Sequence, residues 1–169
     1  MEKHTMEDLV GIMATLRGDS GCPWDKAQTH ETLKPFLLEE AYEVIDAIDK
    51  RNTDGIVEEL GDLLLQIVFH SRLGEERREF DISDVIDGVS EKMIRRHPHI
   101  FGQIEVESTE EVLENWEDIK RQEKHIKTQT ESMINVAKTL PALMKAFKVQ
   151  EKAARVGFDW DKTEDAIRH

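Results

Sequence analysis

The sequence predicts an all-α protein, a bundle of amphipathic helices, from three observations. Apolar residues recur at spacings of three and four along almost the whole chain. Alternating apolar and polar runs bounded by hairpin turns do not occur, so no strand is predicted. The longest predicted helix, which begins near Ile56, has apolar residues nearly all round. Such a helix needs cover from several neighbours or from a second subunit, so we expect a homodimer or a higher homo-oligomer.

The first half of the chain divides into three predicted helices. Helical spacing covers residues 5–17, and a loop is expected at residues 18–25. The second helix is predicted at residues 35–50, because Pro35 suits the first position of a helix. The polar residues 52–55 then turn the chain and can cap a third helix at residues 56–73.

Further helices are predicted in the second half, at residues 83–97, 108–122 and 141–157. The first of them ends before Pro98, because a residue that precedes proline is disfavoured in a helix. Ser108 and Glu111 form a capping-box pattern at the start of the next. The polar residues 124–130 are predicted to be a linker.

Composition narrows the class of protein. A chain of 169 residues suffices for one well-cored domain and little more. Its formal net charge of -13 argues against a broad basic surface for nucleic acid. The single cysteine, Cys22, excludes an internal disulfide framework and fits a reducing compartment. Because the sequence also has no membrane-length apolar run and no signal peptide at its start, we expect a cytoplasmic protein.

Paired acids on two consecutive predicted helices are the main functional signal. A helical wheel predicts one apolar core stripe on each helix: Leu33, Leu37, Val44 and Ile48 on the second, and Ile56, Leu60, Leu63 and Ile67 on the third. The acids that border these stripes are Glu40 and Glu43 on the second helix, and Glu59 and Asp62 on the third, where Gln66 and His70 share their flank. Carboxylates held together in this way repel one another, and a hard divalent cation relieves the repulsion. Oxygen ligands favour magnesium, with manganese as a possible substitute. The four acids are therefore the predicted metal ligands.

Neighbouring residues leave some alternatives open. Glu39 and Glu58 lie further round their helices, where each is a base, a support for the ligands or ordinary surface. Gly61 costs its helix roughly 1 kcal/mol relative to alanine, which points to a packing reason such as the close approach of another backbone. Rival metal sites fit less well. The sequence has no Glu-x-x-His for a di-iron site. It also has one cysteine and no closely spaced histidine pair on a predicted helix, which disfavours zinc.

Basic and aromatic residues supply candidate substrate contacts. Lys92 and Arg96 share one helix face in an acidic protein, which suits a polyphosphate, although cations also stabilise helix ends. Trp116 and Lys120, spaced i and i+4, add an aromatic face and a further cation, with a core position for Trp116 left open. In the segment Gly21–Asp25, the tryptophan can meet a nucleobase and the aspartate its polar edge, or both can pack locally.

Five segments in order resemble the MazG family of nucleoside triphosphate pyrophosphohydrolases, an all-α group. The segments are GCPWD at 21–25, LEEAYE at 38–43, ELGDLL at 59–64, RRHPHIF at 95–101 and WEDIK at 116–120. The resemblance implies magnesium-dependent hydrolysis of nucleoside triphosphates to monophosphate and pyrophosphate. It implies the four predicted ligands for the metal, Lys92 and Arg96 for the phosphates, and Trp116 and Lys120 near the substrate. Within that reaction Glu39 is the candidate to orient or deprotonate the attacking water.

The resemblance also implies a domain division. Residues 1–125 would form the MazG-type domain, and residues 126–169 a linker and helix. Residues 140–160 resemble the link to a second copy of the module, so we expect the chain to be the amino-terminal part of a longer protein. Three alternatives stay open at this point. They are a catalytically weak nucleotide-binding module with a regulatory or structural role, a phosphohydrolase limited to one substrate such as dUTP or phosphoribosyl-ATP, and a metal-binding bundle with no phosphate role.

Overall fold

The computed structural model describes residues 3–123, 128–134, 136–154 and 157–158. Every regular element within these ranges is a helix, which confirms the predicted fold class. The helices are α1 (Met6–Arg17), α2 (Pro23–Ala27), α3 (His30–Asp49), α4 (Thr53–Arg77), α5 (Ile82–Arg96), α6 (Pro98–Phe101), α7 (Thr109–Glu123), α8 (Gln129–Ile134) and α9 (Ala142–Ala154). They belong to two compact units, Met1–Ser90 and Glu91–His169. The predicted division at residue 125 stays a prediction.

Helix α3 begins at His30, earlier than the prediction that placed its start at Pro35. Thr29 and Thr32 decide the start through a reciprocal cap. The Thr29 side chain accepts from the Thr32 backbone N–H at 3.3 Å, and the Thr32 hydroxyl accepts from the Thr29 N–H at 2.8 Å. Pro35 therefore lies inside the helix, where it has no N–H to donate to the carbonyl of Glu31. The prediction was wrong because a proline is tolerated this close to a well-capped end.

Helix α4 follows a short turn and runs antiparallel to α3, with which it makes the most extensive helix contact in the first unit. Asn52 caps it, accepting from the backbone N–H of Gly55 at 3.2 Å, which confirms the cap predicted at residues 52–55. The helix continues past the predicted end to Arg77, and Arg78 closes it in the left-handed conformation with φ 58°. Pro23–Ala27 forms the short helix α2 where a loop was expected.

The core of the first unit lies where α1, α3 and α4 meet. Its fully buried members are Met13, Leu33, Val68, Phe69 and Leu73. The predicted core stripe of α4 was wrong in part, because Leu60 and Ile67 are exposed in this chain. Leu37 and Ile48 of α3 are exposed as well. The sequence of a helix that is apolar nearly all round does not show which of its sides packs against the neighbouring helices. In α4 the packed side is the one that carries Val68 and Phe69.

Two glycines of α4 differ in their surroundings. A Cβ added at Gly61 would meet nothing within 4 Å, so the packing reason expected for this glycine is not found within the chain. A Cβ at Gly74 would lie 2.7 Å from the carbonyl oxygen of Phe80 and 2.7 Å from its ring. The close approach of another backbone that was expected at Gly61 occurs at Gly74 instead.

We expect opposite effects when alanine replaces these two glycines. Gly61→Ala should raise the free energy of unfolding by about 0.5–1 kcal/mol, because it removes backbone freedom from the unfolded chain at no steric cost. Gly74→Ala should lower it by about 1–3 kcal/mol, because the new methyl group overlaps Phe80. Urea unfolding of both variants checks this, and a loss of stability in Gly61→Ala would contradict it.

The second unit contains the end of α5 and the helices α6 to α9. The break at His97-Pro98 is confirmed, and the Ser108 hydroxyl accepts from the Glu111 N–H at 3.1 Å as its pattern predicted. The linker predicted at residues 124–130 was wrong at its end, because α8 begins at Gln129, and residues 124–127 lie outside the described ranges. Helix α9 stops at Ala154, before Gly157. No helix in the described ranges combines the length and the apolar character needed to cross a membrane.

Candidate metal centre

Three carboxylates converge in the seam between α3 and α4. Glu40 and Glu43 lie one turn apart on α3, and Glu59 faces them from α4. Each offers one oxygen, and these oxygens all lie within 4.8 Å of one another. The antiparallel hairpin thus brings together three of the four acids predicted as ligands. Within the described ranges, Asp62 does not join this group of oxygens.

The electrostatics of the seam show that the acids repel one another. Burial raises the pKa of Glu40, and the charges of Asp62, Glu43 and Glu59 raise it further. Burial also raises the pKa of Glu59, followed by the charges of Glu43, Glu58 and Asp62. Asp62 is therefore close enough to both helices' acids to act on them.

This donor set fits a hard divalent cation. It consists of carboxylate oxygens alone, which is the ligand chemistry of magnesium and manganese. A divalent ion would offset the repulsion that raises the pKa of Glu40 and Glu59. Glu39 and Glu58 stay outside the group, exposed on the surface beside it, and each raises the pKa of its neighbour in the cluster.

The segment predicted to meet the nucleobase packs against the acid-bearing helix. Trp24, in α2, is 54% exposed. Its ring meets that of Phe36 edge to face, with centroids 5.9 Å apart, and Phe36 lies one turn before Glu40 on α3. Asp25 is half-buried beside it. The structure therefore gives Trp24 both a fixed partner and an open surface.

The predicted phosphate contacts lie in the second unit, and only some of them come together. Arg96 donates from Nε to Glu123 at 3.0 Å, and Arg95 donates to the other oxygen of the same carboxylate at 2.7 Å. Hydrogen bonds from Arg96, then from Arg95, lower the pKa of Glu123 to about 2. Lys92 is half-buried and has no ion-pair partner among the described residues. Sequence reasoning missed Glu123, because nothing local links it to arginines a helix away.

Trp116 joins the arginine cluster, and Lys120 has a partner of its own. The Arg96 guanidinium lies 5.4 Å from the centroid of the Trp116 ring, and His97 meets the same ring at 4.9 Å. Lys120 forms an ion pair with Glu117 at 3.0 Å. Trp116 is half-buried and lies beside the cation Arg96, and its contact with a substrate stays a prediction.

A histidine pair for which no role was predicted lies at the other end of the α3–α4 seam. The Nδ1 atoms of His30 and His70 lie 2.7 Å apart, and the rings are nearly parallel at 4°. Gln66, one turn before His70, is 7% exposed, and its Oε1 has no hydrogen-bond partner among the described residues. The helical wheel placed Gln66 and His70 on the same flank of α4 as Glu59 and Asp62. That shared flank was the signal in the sequence that both side chains face α3.

We expect the fold to lose stability as the solution is acidified through the range where His70 titrates. Burial, then the neighbouring His30, lowers the pKa of His70 from 6.5. Because the folded pKa lies below the unfolded one, the neutral ring's contribution is present above pH 6.5 and is lost as pH falls through the folded pKa. Urea unfolding on both sides of pH 6.5 should show a weaker pH dependence in His70→Phe than in the wild type. The exposed His4→Phe serves as control, and equal pH dependence in all three would contradict the prediction.

Comparison with known proteins identifies the family of this chain. The sequence model of the MazG nucleotide pyrophosphohydrolase domain matches residues 28–101, which include the whole acid cluster. A Thermotoga maritima protein named nucleoside triphosphate pyrophosphohydrolase/pyrophosphatase MazG is 51% identical over 94% of this chain. The Escherichia coli nucleoside triphosphate pyrophosphohydrolase is 46% identical over 93% of it. The chain spans 60% of the length of each of these two relatives.

A solved structure extends the agreement to the fold. The crystal structure of a mazG-related protein from Thermotoga maritima superposes with a TM-score of 0.58 at 30% sequence identity. The match covers 69% of this chain and 99% of that one. The sequence match and the fold match thus agree, and the chain belongs to the MazG family.

Proposed function

We propose that this chain hydrolyses nucleoside triphosphates to the monophosphate and pyrophosphate, with the α3–α4 seam as its metal-dependent centre. The observation that carries the proposal is the convergence of the Glu40, Glu43 and Glu59 oxygens within 4.8 Å. Family membership and the activity for which the relatives are named support the substrate class. Repulsion within the cluster supports a cation at this place rather than a solvated acidic face.

The acids divide into holding and proton-handling roles. Glu40, Glu43 and Glu59 would hold the ion, and Asp62 would complete its surroundings. A bound magnesium ion, or manganese in its place, neutralises phosphate charge and makes water a better nucleophile. Glu39 is exposed beside the cluster, so its carboxylate is free to orient the attacking water and to accept its proton.

Basic and aromatic residues would bind the rest of the substrate. Lys92 is the phosphate contact whose charge no described carboxylate offsets, whereas Arg96 would contribute the part of its guanidinium that Glu123 leaves free. Lys120 and Trp116 are the further contacts proposed in that unit. In the first unit the exposed face of Trp24 would stack on the base, with Asp25 near its polar edge.

Product analysis tests the proposal. The chain is incubated with magnesium and each common and aberrant nucleoside triphosphate, and pyrophosphate is distinguished from orthophosphate. Pyrophosphate with equimolar monophosphate is expected. Tight nucleotide binding without pyrophosphate would instead identify a regulatory or structural module, and activity on one nucleotide alone would identify a specialised phosphohydrolase.

We also propose that a second copy of the chain covers the outer face of the α3–α4 hairpin. That face exposes large apolar side chains, among them Leu38, Tyr42 and Ile45 on α3 and Val57 and Leu60 on α4. Large apolar side chains exposed on neighbouring helices favour self-association. Sedimentation equilibrium checks the proposal, and a monomer at every concentration would contradict it.

We infer a cytoplasmic location for this activity. Nucleoside triphosphates are cytoplasmic metabolites, and Cys22 is a free thiol, which suits a reducing compartment. The net charge of -13 also fits small anionic substrates delivered with a metal ion better than it fits nucleic acid.

A further inference from the structure

The side chain of Arg17 donates hydrogen bonds to Glu76 and to two backbone carbonyls in the first unit. Arg17 ends α1, and its side chain is only 7% exposed. The guanidinium donates to both carboxylate oxygens of Glu76 on α4, at 2.9 and 2.7 Å. It also lies 5.4 Å from the centroid of the Phe69 ring, which belongs to the core. Arg17 is thus anchored to α4 on two sides before it reaches any other element.

The remaining guanidinium nitrogen holds the backbone of the segment that carries Trp24. Nη1 donates to the carbonyl of Asp25 and, at 3.4 Å, to the carbonyl of Gln28. Gln28 in turn donates from its side chain to the carbonyl of Trp24 at 3.0 Å. One side chain therefore ties the middle and the C-terminal end of α2 to α4. A planar fork can serve a carboxylate and two carbonyls at once, which the single ammonium of lysine cannot.

The same segment approaches the end of α1 closely. The Cys22 N–H donates to the Leu16 carbonyl at 2.8 Å, and a Cβ added at Gly21 would lie 2.1 Å from that oxygen. The segment thus packs against α1 at Leu16 and against α3 at Phe36. Arg17 links the same segment to α4. Trp24 depends on this arrangement, because α2 is too short to hold a position by itself.

We propose that Arg17 positions Trp24 for the nucleoside, and so determines how well the site distinguishes a nucleoside triphosphate from bare polyphosphate. The inference rests on the proposed function, since it assigns the base to Trp24. Arg17 itself does not touch the substrate. Its guanidinium acts through the Asp25 and Gln28 carbonyls, which set the place of Trp24 against Phe36. A base gains from a correctly placed ring, whereas a chain of phosphates does not.

The test compares two ligands with phosphate chains of the same length, one that carries a nucleoside and one that does not. Binding of α,β-methylene adenosine triphosphate and of inorganic tripolyphosphate, each with magnesium, is measured by calorimetry on the full chain. Arg17→Lys should weaken binding of the nucleotide on the order of 10-fold, as expected for loss of one base–aromatic stack, and leave tripolyphosphate binding unchanged. Trp24→Ala should do the same. The double variant should be no weaker than Trp24→Ala, because both act through one ring.

Arg72→Lys is the matched control. Arg72 binds Glu76 at 3.0 Å and Glu75 at 3.0 Å, so it shares the carboxylate of Arg17 but is not bonded to the α2 segment. It should bind both ligands as the wild type does. Equal weakening of both ligands by Arg17→Lys, additive effects with Trp24→Ala, or a wild type that does not prefer the nucleotide would each overturn the inference. Because neither ligand needs turnover, a chain that binds normally but releases no pyrophosphate would refute the proposed activity alone.

Discussion

Replacing Glu40 with glutamine should abolish magnesium-dependent pyrophosphate release. Burial, and then the charges of Asp62, Glu43 and Glu59, raise the pKa of Glu40, so its carboxylate lies within the negative charge of the cluster. Glutamine keeps the shape and removes the negative oxygen that a hard cation needs. Loss of a group that merely supports a metal ligand costs about 10–100-fold, so loss of a ligand should lower turnover by more than about 100-fold.

The same replacement should make the metal-free protein more stable. The pKa of Glu40 is raised in the fold, so ionising it costs stability; this cost is absent below pH 4.5 and grows as pH rises through the folded pKa. Glu40→Gln removes the cost at neutral pH. Conversely, magnesium at 100 times its dissociation constant should stabilise the wild type by about 2.7 kcal/mol, and the variant much less.

Thermal melts with and without magnesium, run beside the product assay, separate these effects. Asp49→Asn, an exposed acid at the end of the same helix, is the matched control and should keep both turnover and the magnesium shift. Unchanged turnover in Glu40→Gln would contradict the ligand assignment. A variant less stable than the wild type without metal would contradict the repulsion on which the assignment depends.

Phe69→Ala should lower the free energy of unfolding by about 3–5 kcal/mol, which is a large part of the total stability of a domain. Phe69 is 3% exposed, packs in the core formed by α1, α3 and α4, and lies beneath the Arg17 guanidinium. Truncation removes the buried ring and leaves a cavity that three packed helices cannot readily collapse. The loss should also loosen the anchor of Arg17.

Ile67→Ala tests the orientation of α4 directly. The helical wheel placed Ile67 in the core, whereas the structure leaves it 39% exposed. Its truncation should therefore cost about 1 kcal/mol or less when measured by urea unfolding at low protein concentration. Equal losses in Ile67→Ala and Phe69→Ala would contradict the observed orientation. A loss for Ile67→Ala that grows with protein concentration would report the proposed second copy.

Local sequence patterns predicted most of the helices of the first unit. Helical periodicity placed α1, α3 and α4, and the Asn52 cap was read from four residues. The start of α3 was misjudged because the Thr29 and Thr32 cap outweighs the preference of Pro35 for a helix start. The convergence of Glu40 with Glu59 could be expected too, since a short turn makes two helices antiparallel and adjacent.

The sequence by itself determined the all-α class, the acid faces and the family resemblance, because these depend on spacing within a turn or two of helix. Only the tertiary structure decided which side of α4 is buried, that Glu123 holds Arg96, and that Arg17 holds the segment of Trp24. Those partners lie far apart along the chain or on helices that are apolar on several sides. Their pairing depends on how whole helices pack, which no local pattern encodes.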